Sequence, residues 1–384
     1  MDLRLTDDET RFRDDLRAWL RDAVPALGPG PADVHDWSAL RDHEARWQRM
    51  LFDAGYAGIN WPVEFGGQGR SPTEHLLFLE ESARAGAPET NIMFVGLLHA
   101  GPTLMAEASP EQKAAHLPRI LRGDEVWCQG FSEPGAGSDL ASLRTRAVRD
   151  GDEYVVNGQK IWTSNAQVAD FCELLVRTDP EAPKHKGISW VILPMTTPGI
   201  TIRPLTTITG SQEFSEVFFD DVRVPVANRV GDENDGWRIS MVTFSFERGT
   251  AFTSEMLQSF DLLRDLKERS QANGTWDDAG VRRSLGRLAA DLDALWALTK
   301  RNVSQASRTG VPGVGGSVFK LHYSEMRKRM GALAMEVMGP SAVDLTDLQV
   351  DGQIHSVSLT IAAGTSQIQR NIVGERILGL PKER

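Results

Sequence analysis

The chain has little cysteine, no long apolar run and no excess of positive charge. Only two cysteines occur, Cys128 and Cys172. This excludes a disulfide-stapled scaffold, and their apolar surroundings in the sequence fit a reducing compartment. No apolar run approaches the roughly 20 residues needed to cross a bilayer. The formal net charge of −11 argues against general nucleic-acid binding. It leaves room for an anionic ligand, which local basic residues would hold.

Several catalytic signatures are missing as well. Gly135 and Gly137 do not open a G-x-G-x-x-G, because Leu140 stands where the last glycine would be, so a nicotinamide-binding Rossmann site is excluded. No G-x-S-x-G marks a serine hydrolase. His43-Glu44 has no second histidine four residues after the first, the other histidines are scattered, and no metal site is expected. The stretch MDLRLTDDETRFRDDL is acid-rich, unlike a secretory signal or an Arg-rich transit peptide, so a cytoplasmic location is expected.

With 41% hydrophobic and 25% charged residues the chain is globular, and 384 residues exceed one ordinary core, which predicts two or three domains. Helical periodicity runs from Leu5 to about Arg122. Thr6 and Glu9 have capping-box spacing, Pro72–Arg84 and Pro88–Glu107 read as helices, and Ser109-Pro110 opens another. Near Asp124 the period changes. Short β-branched and aromatic runs at Val126–Phe131, Tyr154–Val156, Gln159–Thr163, Phe171–Arg177, Ser189–Leu193, Ile200–Pro204 and Glu216–Phe219 read as strands. Asp150-Gly151 and Asn157-Gly158 read as turns. Helical period returns after Asp235, with long helices expected over Asp277–Gln305 and Ser317–Met338 and a last one from Thr365 to Gly379. Segregated runs of helices and strands predict an α+β chain. The expected division is a helical domain over 1–124, a β-sandwich or barrel over 125–234 and a helical bundle over 235–384.

Two segments carry the most information: QGFSEPGAGSD at Gln129–Asp139 and NGQKIWTSN at Asn157–Asn165. With FSEVFFDDVRVPVANRV at Phe214–Val230, KLHYSE at Lys320–Glu325 and GTSQIQRNIVGERILGLP at Gly364–Pro381, they closely resemble the acyl-CoA dehydrogenase family over nearly the whole chain. The resemblance implies an N-terminal helical domain, a central β-sandwich or barrel, a C-terminal four-helix bundle, and an FAD cofactor. It implies that Gln129, Phe131 and Ser132 line the flavin ring, partly through backbone groups. Ser138 would lie near the flavin phosphates or the acyl-pantetheine. Trp162, Thr163 and Ser164 would pack on and hydrogen-bond the ring from the other side, and Thr365 and Gln367 would reach it from the C-terminal domain. A flavin ring needs an apolar wall and a few donors aimed at its polar edge, and these residue types supply both.

The family's chemistry requires a carboxylate that removes the proton α to a thioester carbonyl. In many members it immediately precedes the Gly-Thr that opens the last helix, where this chain has Ala363 before Gly364. A second arrangement, resembling isovaleryl-CoA and long-chain dehydrogenases, puts it on the first helix after the β-domain. FSFERG places Glu247 there, followed by Arg248, the matching candidate for orienting substrate. Thr243, Glu247, Thr250 and Ser254 are spaced to share one helix face, and small hydroxyls around one carboxylate suit a groove wall. The Ala363 N–H keeps the place of the family's backbone donor to the thioester carbonyl. Ala363 also removes bulk there, which predicts a branched, cyclic or otherwise wide acyl group.

Two departures bear on assembly. The family's Arg-x-x-Phe-Gly grip on the flavin pyrophosphate is absent from SQANGTWDDAGVRRSL at Ser270–Leu285, and Glu336 replaces the usual Gln before the later Gly-Gly, which here reads Gly339-Pro340. The resemblance implies an acyl-CoA or acyl-carrier-protein thioester, an electron-transfer flavoprotein as acceptor, and either a homo-oligomer or a paired paralogue subunit. Two alternatives stay open: a flavin oxidase or monooxygenase on the same fold, and a non-catalytic or half-site subunit of a heteromeric enzyme.

Overall fold

The structure, a computed structural model, describes residues 4–382 except 34, 89, 251, 310–314, 345 and 346; for 245–250, 308, 309, 348 and 351 it describes the backbone alone. The N-terminal helices are α1 (Asp7–Leu27), α2 (Trp37–Asp53), α3 (Pro72–Arg84), α4 (Gly101–Glu107) and α5 (Pro110–Arg122). Their starts follow the sequence closely. At α1 Thr6 Oγ1 accepts the Glu9 N–H at 3.2 Å and Glu9 accepts the Thr6 N–H at 2.8 Å. Ser71 with Glu74, and Ser109 with Gln112, close the same reciprocal box before α3 and α5, each with Pro in the first turn.

The helix expected over Pro88–Glu107 is shorter and uneven. A wide turn over Gly96–Ala100 precedes α4, and the Gly101 N–H reaches back to the Gly96 carbonyl. Pro102 has no N–H to continue the normal ladder, so the preceding turn widens.

Among the described residues, eight strands then form one hydrogen-bonded sheet: β1 (Trp127–Gly130), β2 (Arg146–Asp150), β3 (Glu153–Ser164), β4 (Phe171–Arg177), β5 (Ile188–Pro194), β6 (Ile200–Leu205), β7 (Phe214–Pro225) and β8 (Arg229–Val230). Their order is β6-β7-β3-β2-β4-β5-β8, with β1 parallel to β4. Asn157-Gly158 is not a turn. It lies inside β3, at the first of two register shifts against β7. Asn157 bonds Asp221 across the pair through both side-chain and backbone atoms, and a Cβ on Gly158 would stand 2.7 Å from Thr145 Cα. Turn-forming residue types here relieve a crowded bulge. Cys128 and Cys172 are register partners in β1 and β4, both buried and unoxidised.

The C-terminal helices are α6 (Gly236–Thr250), α7 (Thr253–Asn273), α8 (Ala279–Thr309), α9 (Gly315–Met338), α10 (Leu348–Ser358) and α11 (Ser366–Ile372). Met256 and Leu266 of α7, Leu292 of α8 and Met330 of α9 meet in one buried core. Among the described residues, no helix is long and apolar enough to cross a membrane.

The chain condenses into two compact units that interleave along the sequence. One comprises Ala18–Arg70 and Gly86–Glu247; the other comprises Met1–Arg17, Ser71–Ala85 and Arg248–Arg384. In the latter, burial depresses the His75 imidazole of α3 to about 4. A histidine held neutral when folded favours the unfolded state once it must charge. Stability should therefore fall as pH drops from about 6.5 toward 4, by about 1–2 kcal/mol given that His75 as a residue is only partly buried. Melting curves of His75→Gln across that range should be flatter than wild type.

Candidate active site

The Gln129–Asp139 loop leaves the end of β1 and lies against β3. Two successive carbonyls are gripped there: Lys160 Nζ donates to Phe131 O at 3.0 Å, and the Ile161 N–H donates to Ser132 O at 3.0 Å. Lys160 also pairs with Glu133 at 2.8 Å. Glu133 in turn accepts the backbone N–H of Arg144 at 2.7 Å and of Thr145 at 2.8 Å. Burial pushes the Glu133 carboxyl up, but the Lys160 charge and these hydrogen bonds outweigh it and hold it below its ordinary value. Burial lowers the Lys160 ammonium, with Glu133 working against the shift. Pro134-Gly135 forms a tight turn closed by two backbone bonds between Glu133 and Ala136. Beyond it Ser138 is exposed, and Asp139 is anchored by Lys184 at 2.8 Å.

Gripping Ile161 from the loop coincides with the second β3 register shift, between Lys160 and Thr163. That bulge turns Trp162 to φ 61, a conformation bulky residues rarely adopt. Trp162 is 56% exposed, with Phe214 edge-on to its indole at 5.9 Å. Next to it Thr163 is fully buried, and its Oγ1 has no partner among the described residues. An unpaired buried hydroxyl costs about 1–3 kcal/mol, so a strained, exposed indole beside one is an arrangement folding alone does not favour. Ser164 is half-buried at the end of β3.

Gln129 differs from expectation in its side chain. Its Nε2 donates to Glu173 Oε1 at 2.8 Å and lies 3.1 Å from His99 Nδ1. The amide nitrogen thus serves a buried polar group beneath the loop. Phe131 is buried, edge-on to Phe244 of α6 at 5.8 Å.

Glu247 and Arg248 lie on α6, and their side chains fall outside the described residues. The expected small-hydroxyl stripe does not hold as one face. Thr243 is fully buried and shares a 2.8 Å hydrogen bond with Thr103, while Ser254 belongs to α7 because α6 ends at Thr250.

In the other unit, Ala363 and Gly364 form a left-handed turn before α11, with φ 52 and φ 82. Two buried side chains hold it: Gln369 Nε2 donates to Ala363 O at 2.9 Å, and Lys320 Nζ donates to Gly364 O at 2.7 Å. The Ala363 N–H has no hydrogen-bond partner among the described residues. Thr365 caps α11, its Oγ1 accepting the Ile368 N–H at 3.2 Å, and Gln367 is exposed. Sequence reasoning missed Lys320, Gln369, Glu133 and Glu173. The last carried a signal, a lone carboxylate in a strand that is otherwise apolar up to Arg177. The segment that departs from the Arg-x-x-Phe-Gly pattern closes on itself: Asn273 bonds Thr275, and Trp276 packs into the helical core with Lys267 5.9 Å above its ring. No cluster of three or more metal-ligating side chains occurs among the described residues.

Comparison with known proteins agrees along the chain. Models of the acyl-CoA dehydrogenase N-terminal, middle and C-terminal domains match residues 6–124, 128–222 and 234–378. Acyl-CoA dehydrogenase IpdE1 of Mycobacterium tuberculosis is 39% identical over 389 residues, covering 98% of this chain and 99% of that protein. A solved "Tcur3481-Tcur3483 steroid ACAD" is 34% identical with a TM-score of 0.85 and full coverage of both chains. The ChsE4-ChsE5 complex from Mycobacterium tuberculosis is 36% identical with a TM-score of 0.82, again with full coverage of both. The chain therefore belongs to the acyl-CoA dehydrogenase family of FAD-dependent enzymes.

Proposed function

We propose that this chain carries out α,β-dehydrogenation of a bulky or polycyclic acyl-CoA thioester, with Glu247 as the base and a second chain completing the enzyme. The observation that carries the reading is the strained, exposed Trp162 beside the unpaired Thr163 hydroxyl. FAD fits these residues. Trp162 offers a flat apolar wall, Thr163 a hydroxyl in need of a partner, and the loop at Phe131 and Ser132 has both carbonyls taken up by Lys160 and Ile161 of β3. Gln129, Ser138, Ser164, Thr365 and Gln367 would complete the holding set. When bound, FAD supplies the hydride acceptor for the substrate β-carbon.

The chain's own residues do the rest. Glu247 takes the α-proton, and Arg248 orients the thioester. The unpaired Ala363 N–H supplies a preorganised donor to the thioester oxygen, which acidifies the α-proton. Ala363 leaves the space that a carboxylate side chain fills in many relatives. Similarity to a steroid ACAD supports a wide substrate. Similarity to that pair and to the ChsE4-ChsE5 complex supports a paired subunit, as does the departure from Arg-x-x-Phe-Gly at Ser270–Leu285. Electron-transfer flavoprotein would accept the electrons.

The test is the visible spectrum of the protein, alone and mixed with its paired chain, before and after anaerobic addition of a ring-bearing acyl-CoA. Bleaching of a flavin band supports the reading. A chain that stays colourless with added FAD in both preparations overturns it, and fast reoxidation by oxygen would favour an oxidase. Ala363→Leu should lower kcat/KM for the bulky thioester about 10–100-fold relative to a short straight-chain one. The ratio is the readout, because backbone strain at φ 52 would slow both substrates alike.

A further inference from the structure

We propose that Lys160 is a positioning residue for the flavin: through the Phe131 carbonyl it fixes and strengthens the Ser132 N–H as a donor to the ring, and so raises the flavin's reduction potential. The inference rests on the reading that the Gln129–Asp139 loop and β3 hold FAD.

A lysine with no exposed surface is rare, and breaking a buried ion pair is strongly destabilising. Here one ammonium joins two groups of the same loop, the Glu133 carboxylate at 2.8 Å and Phe131 O at 3.0 Å. Glu133 is saturated by the Arg144 and Thr145 N–H groups, so Lys160 is anchored and can hold Phe131 O in one place. In a trans peptide the carbonyl and the following N–H point in opposite directions. With Phe131 O turned toward Lys160, the Ser132 N–H points away from it. That N–H has no hydrogen-bond partner among the described residues, because β1 ends at Gly130.

A charged donor on a carbonyl polarises its whole peptide unit, which makes the N–H at the far end a stronger donor. Such a donor favours the more electron-rich, reduced form of a ring bonded to it. Lys160 touches Phe131 and Glu133 rather than the ligand, so it acts through the loop. The adjoining Ile161 N–H fixes the next carbonyl, Ser132 O, and leaves the Ser132 peptide no freedom to rotate.

The test uses the full chain, with its partner chain if FAD loading requires one. Lys160→Met/Glu133→Gln removes both charges, so no lone ion is left buried. Two quantities are measured: FAD affinity, and the reduction potential of the bound flavin by spectroelectrochemical titration. The double variant should bind FAD about tenfold more weakly or worse, and its potential should move to more negative values. A purely structural ion pair would change the melting temperature and leave the potential of the bound flavin alone. If the double variant does not fold, Lys160→Gln/Glu133→Gln keeps neutral hydrogen bonds at both positions and should shift the potential in the same direction by less. A folded variant with wild-type potential overturns the proposal and leaves the flavin reading standing. A wild-type protein that takes up no FAD in any preparation overturns the reading, and the proposal falls with it.

Discussion

Glu247→Gln should take up FAD and bind thioester as wild type does, yet turn over about 10²–10⁴-fold more slowly. Gln keeps the size and hydrogen-bonding reach of Glu but cannot accept a proton. The effect should therefore fall on kcat and on the rate of anaerobic bleaching, with little change in KM. Two observations make Glu247 the residue to test. The position before Gly364 is Ala363, so the carboxylate common in relatives is missing there. One helical turn before Glu247, Thr243 is fully buried and tied to Thr103, which fixes how α6 is rotated at that level. A variant with wild-type bleaching would move the base elsewhere and overturn the assignment.

Trp162→Gly should weaken FAD binding by about 30-fold or more while leaving the apoprotein as stable as wild type, or more so. An aromatic wall that becomes covered by ligand contributes about 2–3 kcal/mol at a binding site. In the apoprotein Trp162 is more than half exposed, so its removal leaves little cavity. At φ 61 glycine is at ease, whereas Trp carries strain of about 1 kcal/mol. Opposite signs for the two effects distinguish a residue kept for a ligand from one kept for folding. Calorimetric melting of the apoprotein and fluorescence titration with FAD measure them separately. A drop of several degrees in the apo melting temperature would mean that the wall belongs to the core.

The starts of α1, α3 and α5 were legible because capping is local chemistry: Thr6 with Glu9, Ser71 with Glu74 and Ser109 with Gln112 each act within one turn. Strand β4 was found at its observed bounds, since a run of apolar residues needs no partner to be recognised. Long-range matters were not legible. Asn157-Gly158 has turn chemistry, and only the pairing of β3 with β7 and the closeness of Thr145 reveal a bulge. The hydroxyl stripe from Thr243 to Ser254 assumed one continuous helix, and the break after Thr250 divides it. The loop and strand that carry the family motifs were recognised. The supports, Glu133 within the loop, Glu173 beneath it, and Lys320 and Gln369 around Ala363, come from contacts between distant parts of the chain or from side-chain direction.

The interleaving of the two units imposes an order on synthesis. Every residue of the unit that carries Trp162 lies between Ala18 and Glu247, so that unit can close while the rest of the chain is still being translated. The other unit draws on Ser71–Ala85 but cannot close until the residues after Arg248 emerge. Helix α3 already has Arg17 to pair with Glu81, but it must wait for α7 and α8 with Leu76 and Leu77 uncovered, a face that chaperones or neighbouring chains could capture. The boundary between early and late folding falls between Glu247 and Arg248, two adjacent residues of a single helix.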